Sequence, residues 1–159
     1  MQTSKTTIVL YEEKYKEELY KLLIEVSTEL FGSKTVDYQR FVDDHWALYL
    51  AVRDDKVIGL SSFVYEDYYG LRPPTVGNDY IYVLPAYRTG RAMYLLSTQA
   101  GHVSISCNLP LVHYYCSDTS RHLSRKLTGT KLYETYLYEV EEVEKIFKTL
   151  TRKHTIKER

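Results

Sequence analysis

Cysteine is scarce in this sequence, with only Cys107 and Cys116 among 159 residues. That excludes a small scaffold stapled by disulfides, and the two thiols read as reduced and mostly structural. Metal-ligand spacing is also missing, so no metal is expected. His113-x-x-Cys116 comes nearest, and a strand there would turn those two side chains to opposite faces. No apolar run approaches the ~20 residues that a membrane-spanning helix needs. Met1 to Thr7 lacks the basic and apolar regions of a secretion signal. A cytoplasmic location without membrane contact is the expectation. Internal repeats, linkers and a second domain are absent from the pattern too.

What remains is ordinary globular material. Hydrophobic residues make up 44% and charged ones 26%, which suits one soluble domain with a sizeable core. Residues 1–150 are expected to form that domain, and 151–159 a polar, frayed tail. The formal net charge of zero hides an asymmetry. Residues 1–84 carry nine Lys/Arg against fourteen Asp/Glu, whereas residues 85–131 carry six basic residues against Asp118 alone. The basic segment suits a polyanion, and the acidic half beside it suits a cationic partner. Arg and Lys beside tyrosine is also a nucleic-acid-binding composition, so that partner stays open.

Along the chain, Thr7 to Tyr11 reads as a strand. Glu12 to Leu30 follows as an amphipathic helix with Tyr15, Leu19, Leu22, Leu23, Val26 and Leu30 on one face. Thr35 is expected to cap a short second helix with Tyr38, Phe41 and Val42 inward. Trp46 to Val52 and Lys56 to Tyr65 read as strands joined at Asp54-Asp55. Gly59 within the second of them signals a bulge or a close backbone approach. Glu66 to Asn78 reads as a loop. Pro110 to Cys116 reads as a buried strand, Ser120 to Leu127 as a short helix, and Lys131 to Glu139 as a strand. Val140, Val143, Phe147 and Leu150 then make a stripe on a closing helix, which packs across the sheet edge or against a second copy in a homodimer.

The chain is organised around residues 79–96. Asp79 to Leu84 is aromatic and β-branched, and Pro85 ends it. Met93, Leu96, Ala100 and Val103 then recur at helical spacing, so a helix begins near Gly90 or Arg91. A strand feeding a helix through Arg88, Thr89, Gly90 and Arg91 exposes backbone N–H groups at the helix start. Those donors, the positive end of the helix dipole and two guanidiniums together suit a pyrophosphate.

Val83-Leu84-Pro85-Ala86-Tyr87-Arg88-Thr89-Gly90-Arg91-Ala92-Met93 resembles the acyl-CoA loop of the GNAT acetyltransferase superfamily. That loop reads V-x-P-x-[Y/F]-[Q/R]-x-x-G-x-[G/A]. Arg91 stands where the family has glycine, and Met93 where it has Gly or Ala. Arg-x-Gly-Arg-Ala is similar to a variant in phage-encoded members, which would put the protein in a host cytoplasm. Leu50 to Gly59 is similar to the family's second and third strands. The resemblance implies an α/β (α+β) fold with a central mixed, mostly antiparallel sheet flanked by helices. The closing helix would be an addition to it.

The resemblance further implies direct transfer of an acetyl group from acetyl-CoA to an amine acceptor. The backbone of Tyr82, Val83 and Leu84 would pair with the pantetheine arm, and the Val83 N–H would meet the thioester oxygen. Arg88, Thr89, Gly90, Arg91, Ala92 and Met93 would hold the pyrophosphate. The general base is open among Asp79, Glu66 and Asp67, directly or through water, and Tyr65, Tyr68 and Tyr69 are candidates to line the acceptor site. Asp79 and Val83 would share one face of a regular strand, about 13 Å apart. Ser124 falls near the slot of the family's thiolate-protonating tyrosine, with Tyr115, Tyr133 or water as other acids. Two other classes stand beside the enzyme: a phage-type protein acting on host protein or nucleic acid, and a non-catalytic interaction protein that kept the fold.

Overall fold

The computed structural model describes residues 5–113. Ser124, Tyr115, Tyr133, Cys116 and everything expected of residues 114–159 lie outside the described residues, the closing helix included.

The chain begins with β1 (Thr7–Leu10), a single 3-10 turn, α1 (Lys16–Phe31) and α2 (Tyr38–Asp44). Strands β2 (Ala47–Arg53), β3 (Lys56–Glu66) and β4 (Thr75–Val83) follow, then α3 (Ala92–Cys107) and β5 (Leu111–His113). They form one five-stranded sheet in the order β1-β2-β3-β4-β5. The first four strands are antiparallel neighbours, and β5 runs parallel to β4 along Val76–Asn78. The α-helical crossover between β4 and β5 is what a parallel pair requires.

Local chemistry explains most of these elements. On α1, Leu19, Leu22, Leu23 and Val26 are buried at helical spacing, each worth about 1.5–3 kcal/mol of transfer free energy. Gly32 ends the helix at φ 66°, with its N–H on the Thr28 carbonyl and that of Ser33 on Ser27. This left-handed cap costs glycine nothing. The expected cap of α2 is corrected. Asp37 fills the role, its carboxylate accepting the Arg40 N–H at 3.1 Å. Asp54 and Asp55 both take positive φ, 51° and 57°, the two-residue turn that matches strand twist.

The expected loop after β3 is shorter than the sequence indicates. Thr75 to Asn78 joins β4 despite Gly77 and Asn78, because these residues are enclosed between β3 and β5. Burial between two strands outweighs weak intrinsic preference.

The two faces of the sheet have separate cores. Leu48, Leu50, Val52, Val57, Leu60 and Tyr82 pack with α1, and Phe41 and Val42 of α2 join them. Ala51, Ile58 and Val83 pack with Ala92 and Leu96 of α3, and Phe63 and Val76 with Ala100 and Val103. Both irregularities expected near Gly59 occur. Ile58 is an extra residue opposite β2, and a Cβ on Gly59 would lie 2.6 Å from the Tyr82 carbonyl oxygen. Only glycine permits so close an approach of β3 to β4.

Candidate functional site

The C-terminal end of β4 turns into α3 through a tight loop. The Tyr87 N–H bonds the Leu84 carbonyl at 2.8 Å, Arg88 the Pro85 carbonyl at 3.3 Å, and Gly90 the Tyr87 carbonyl at 3.1 Å. Arg91 is the N-cap residue of α3, no side chain among the described residues caps the helix, and its first turn holds no acid. Thr89, Gly90 and Arg91 are exposed, while Ala92 is buried against Val83 and Ile58 and Met93 is half-buried beside them. Arg91 sits at φ −75°, ψ −12°, ordinary right-handed backbone, so this position has no conformational need of glycine. Gly90 is tighter, since a Cβ there would meet the Tyr87 carbonyl at 3.3 Å.

Arg88 is not directed as the loop motif alone implies. Its Nε donates to the Val83 carbonyl at 2.9 Å, and its Nη2 reaches both carboxylate oxygens of Glu29 at 2.7 and 2.6 Å. The Tyr82 hydroxyl donates to the same carboxylate at 2.6 Å. Those bonds from Tyr82 and Arg88 hold the Glu29 pKa below its ordinary value. Burial, with the Glu29 carboxylate second, pushes the Tyr82 phenol up to about 12. Arg88 thereby clasps the end of α1 to the end of β4.

Backbone alternation narrows the role of the three strand residues. The Leu84 N–H is bonded to the Ile58 carbonyl at 2.9 Å, and Tyr82 pairs with Leu60 in the same register. Val83 lies between them, so its N–H and C=O point to the β4 edge away from β3.

Midway along β4 the ladder slips. Ser62 pairs with Tyr80 and Phe63 with Asn78, which leaves Asp79 as a bulged extra residue. Asn78 Nδ2 secures the bulge by donating to Ser61 Oγ at 3.0 Å and the Ser62 carbonyl at 2.9 Å. The Tyr80 N–H bonds Ser62 Oγ at 3.1 Å. A bulge re-aims side chains, and this one brings Asp79 to the same cavity as its neighbour Tyr80. Asp79 and Val83 consequently do not share a face as a regular strand would require: Asp79 is on the α1–α2 side, Val83 on the α3 side.

That cavity, of about 350 Å3, lies among α1, α2, β3 and β4. Leu23, Val26, Phe41, Val64 and Tyr80 supply apolar wall, and Asp37, Arg40, Asp44, Asp79 and His45 supply charged or titratable groups. His45 is the residue that sequence reasoning missed. Its side chain is 6% exposed, with Nδ1 on the Phe41 carbonyl and Nε2 3.2 Å from Asp79 Oδ2. Burial opposes its charged form. The bonds to Asp79 and to the Phe41 carbonyl, then the charges of Asp79 and Asp44, outweigh that and raise its pKa above 6.5.

Glu66 does not line this cavity. Arg72 Nη2 and Thr75 Oγ1 both donate to its Oε2, at 3.2 and 3.3 Å, at the opposite end of β4 from the α3 loop. Tyr65 and Tyr69 also lie outside the cavity lining, exposed on the surface. Ser124 lies outside the described residues. Among the described residues, no cluster of His, Cys, Asp or Glu could hold a metal ion, and no helix is long and apolar enough to cross a membrane.

A mixed five-stranded sheet flanked by helices, with a bulged β4 feeding α3, matches the GNAT fold, and solved structures of that fold match this chain. An aminoglycoside N-acetyltransferase in complex with CoA is similar at TM-score 0.67 and 17% identity, covering 87% of this chain and 96% of the other. A ribosomal-protein-alanine N-acetyltransferase from Brucella melitensis matches at TM-score 0.66 and 16% identity, covering 84% and 98%. An acetyltransferase of the GNAT family from Staphylococcus aureus matches at TM-score 0.62 and 14% identity, covering 76% and 82%. No protein-family model and no curated sequence matches the chain, so the likeness is one of fold.

Proposed function

We propose that this chain is an acetyl-CoA-dependent N-acetyltransferase, acting on an amine carried by a small molecule or a protein. What supports the reading most is the division of labour along β4. Its C-terminal end feeds an uncapped helix start, and its bulge turns a carboxylate into a cavity.

The loop suits the pyrophosphate of acetyl-CoA. Thr89, Gly90 and Arg91 are exposed beside free helix-end donors, and such an end favours phosphate. Arg91 is the cation for that charge, because Glu29 already holds Arg88. The Val83 N–H, on the outer edge of β4, is the donor for an acyl carbonyl oxygen. Acetyl-CoA supplies the thioester when bound. The chain's remaining task is to free the acceptor nitrogen of its proton, and Asp79 with His45 are the titratable groups that meet in the cavity for it.

The test is a thermal-unfolding series with acetyl-CoA, followed by mass spectrometry of an amine panel. Ligand at 100 times its Kd should add about 2.7 kcal/mol of stability. No stabilisation at any concentration would remove the reading. Stabilisation without transfer to any amine would leave a CoA-binding protein that is not an enzyme.

A further inference from the structure

The cavity's charges are not equally available. Asp37 spends a carboxylate oxygen on the Arg40 N–H at 3.1 Å, and Asp44 lies 3.3 Å from Arg40 Nε. Among the described residues Asp79 pairs with His45 alone, and its side chain keeps 37% exposure. Asp79 is therefore the cavity carboxylate whose protein partner can itself give up a proton, and the cavity's volume is at the low end of the roughly 300–1,000 Å3 of small-molecule sites. Apart from Ser27, Thr35 and Arg40, whose Nε is taken by Asp44, the rest of the wall is apolar or aromatic. The Phe41 ring lies 4.3 Å from that of His45 and 6.0 Å from that of Tyr80.

His45 adds a second constraint. A backbone carbonyl only accepts, so the Nδ1 facing Phe41 carries a proton in either charge state, and Nε2 is the atom that titrates. When the ring is neutral, the Nε2 lone pair and Asp79 Oδ2 are two acceptors 3.2 Å apart with no proton between them. An ammonium group has donors for both.

We infer that the cavity takes a small amine with one positive charge and an apolar, preferably aromatic body. Its ammonium bridges Asp79 and His45, and His45 Nε2 takes its proton. The N–H bond of the ammonium breaks as the Nε2–H bond forms, and the electron pair stays on the amine nitrogen. The proton-transfer part rests on the acetyl-transfer reading, whereas the binding part does not. The charged or titratable groups facing His45 are Asp44 on α2 and Asp79 and Tyr80 on β4. The cavity residues of α1 and β3 (Leu23, Val26, Ser27, Phe31 and Val64) bring no charge.

Imidazolium and ammonium compete for one place, so amine binding expels a proton from His45 and tightens as pH rises through the raised His45 pKa. Calorimetry on the full chain without acetyl-CoA tests this with 2-phenylethylamine, 2-phenylethanol and spermidine. The monoamine should bind at least tenfold more tightly than the alcohol and the polyamine. Its enthalpy should vary with buffer ionisation as a proton is released. His45→Gln should abolish that release, and Asp79→Asn should weaken amine binding at least tenfold. Should either variant fail to fold, histidine proton shifts of the wild type with and without the amine give the same answer. Equal affinity for alcohol and amine, or wild-type binding without proton release, overturns the inference. Stabilisation by acetyl-CoA without monoamine binding overturns it while sparing the acetyl-transfer reading, and the reverse result spares the cavity alone.

Discussion

At its C-terminal end β4 offers backbone groups on an exposed turn, whereas at its bulge it offers side chains paired inside a cavity. The loop depends on Pro85, on Gly90 and on where α3 starts, so many side chains could decorate it without changing its donors. Arg91 illustrates this, standing at a position where helical backbone accepts any residue. The cavity depends on particular side chains, because a carboxylate and an imidazole 3.2 Å apart have no substitutes of the same shape and charge. On the proposed reading, a polyanion site built from backbone tolerates sequence change, and a proton-handling site does not.

Two substitutions would split the regions. His45→Gln should lower kcat/KM for the amine by about 10²–10⁴, the usual reach of a general base. Acetyl-CoA affinity should stay within about twofold, since His45 lines the cavity, residues 88–93 of the loop do not, and salt screens what charge effect remains. Arg91→Ala should do the reverse. Acetyl-CoA should bind about 10–100-fold more weakly, the scale of one charge-assisted hydrogen bond, with amine binding untouched. Calorimetry for each ligand with each variant decides. If both variants weaken both ligands, the two ends of β4 act as one site and the division fails.

The same contrast governs what the sequence disclosed. The helical stripe of α1, the Asp54-Asp55 turn and the strand–turn–helix at Pro85 are local patterns, and each was legible because neighbours in sequence create it. The α2 cap was one polar residue among several, and Asp37 prevailed by reaching the N–H three residues on. The bulge left no trace in Asn78-Asp79-Tyr80, because it is a mismatch in count against β3 rather than a property of β4. His45 and Asp79 are 34 positions apart, and only the packing of α2 over the sheet joins them. Glu29 did carry a signal. It falls seven residues after Leu22 and three after Val26, a charged group beside an apolar stripe, where an acid calls for a partner.

The clasp that links the two regions supplies the smallest expected effect. Glu29 and Arg88 side chains are each 38% exposed, so solvent screens the pair and Glu29→Gln should cost less than about 1 kcal/mol of stability. The sign with pH follows from the Glu29 carboxyl lying below 4.5 in the fold. Its contribution is present above that value and is lost as pH falls through the folded pKa, so wild type and variant should converge in acid. The Tyr82 phenol should descend from about 12 yet stay above 10, because burial is its larger cause and remains. Acetyl-CoA should bind about twofold more tightly, since one negative charge leaves the neighbourhood of a polyanion. Arg88 keeps its bond to the Val83 carbonyl, so the loop retains its anchor. Weaker acetyl-CoA binding in Glu29→Gln would instead show that α1, through this carboxylate, sets the shape of the loop, and that the backbone-built end of β4 is less independent than its geometry indicates.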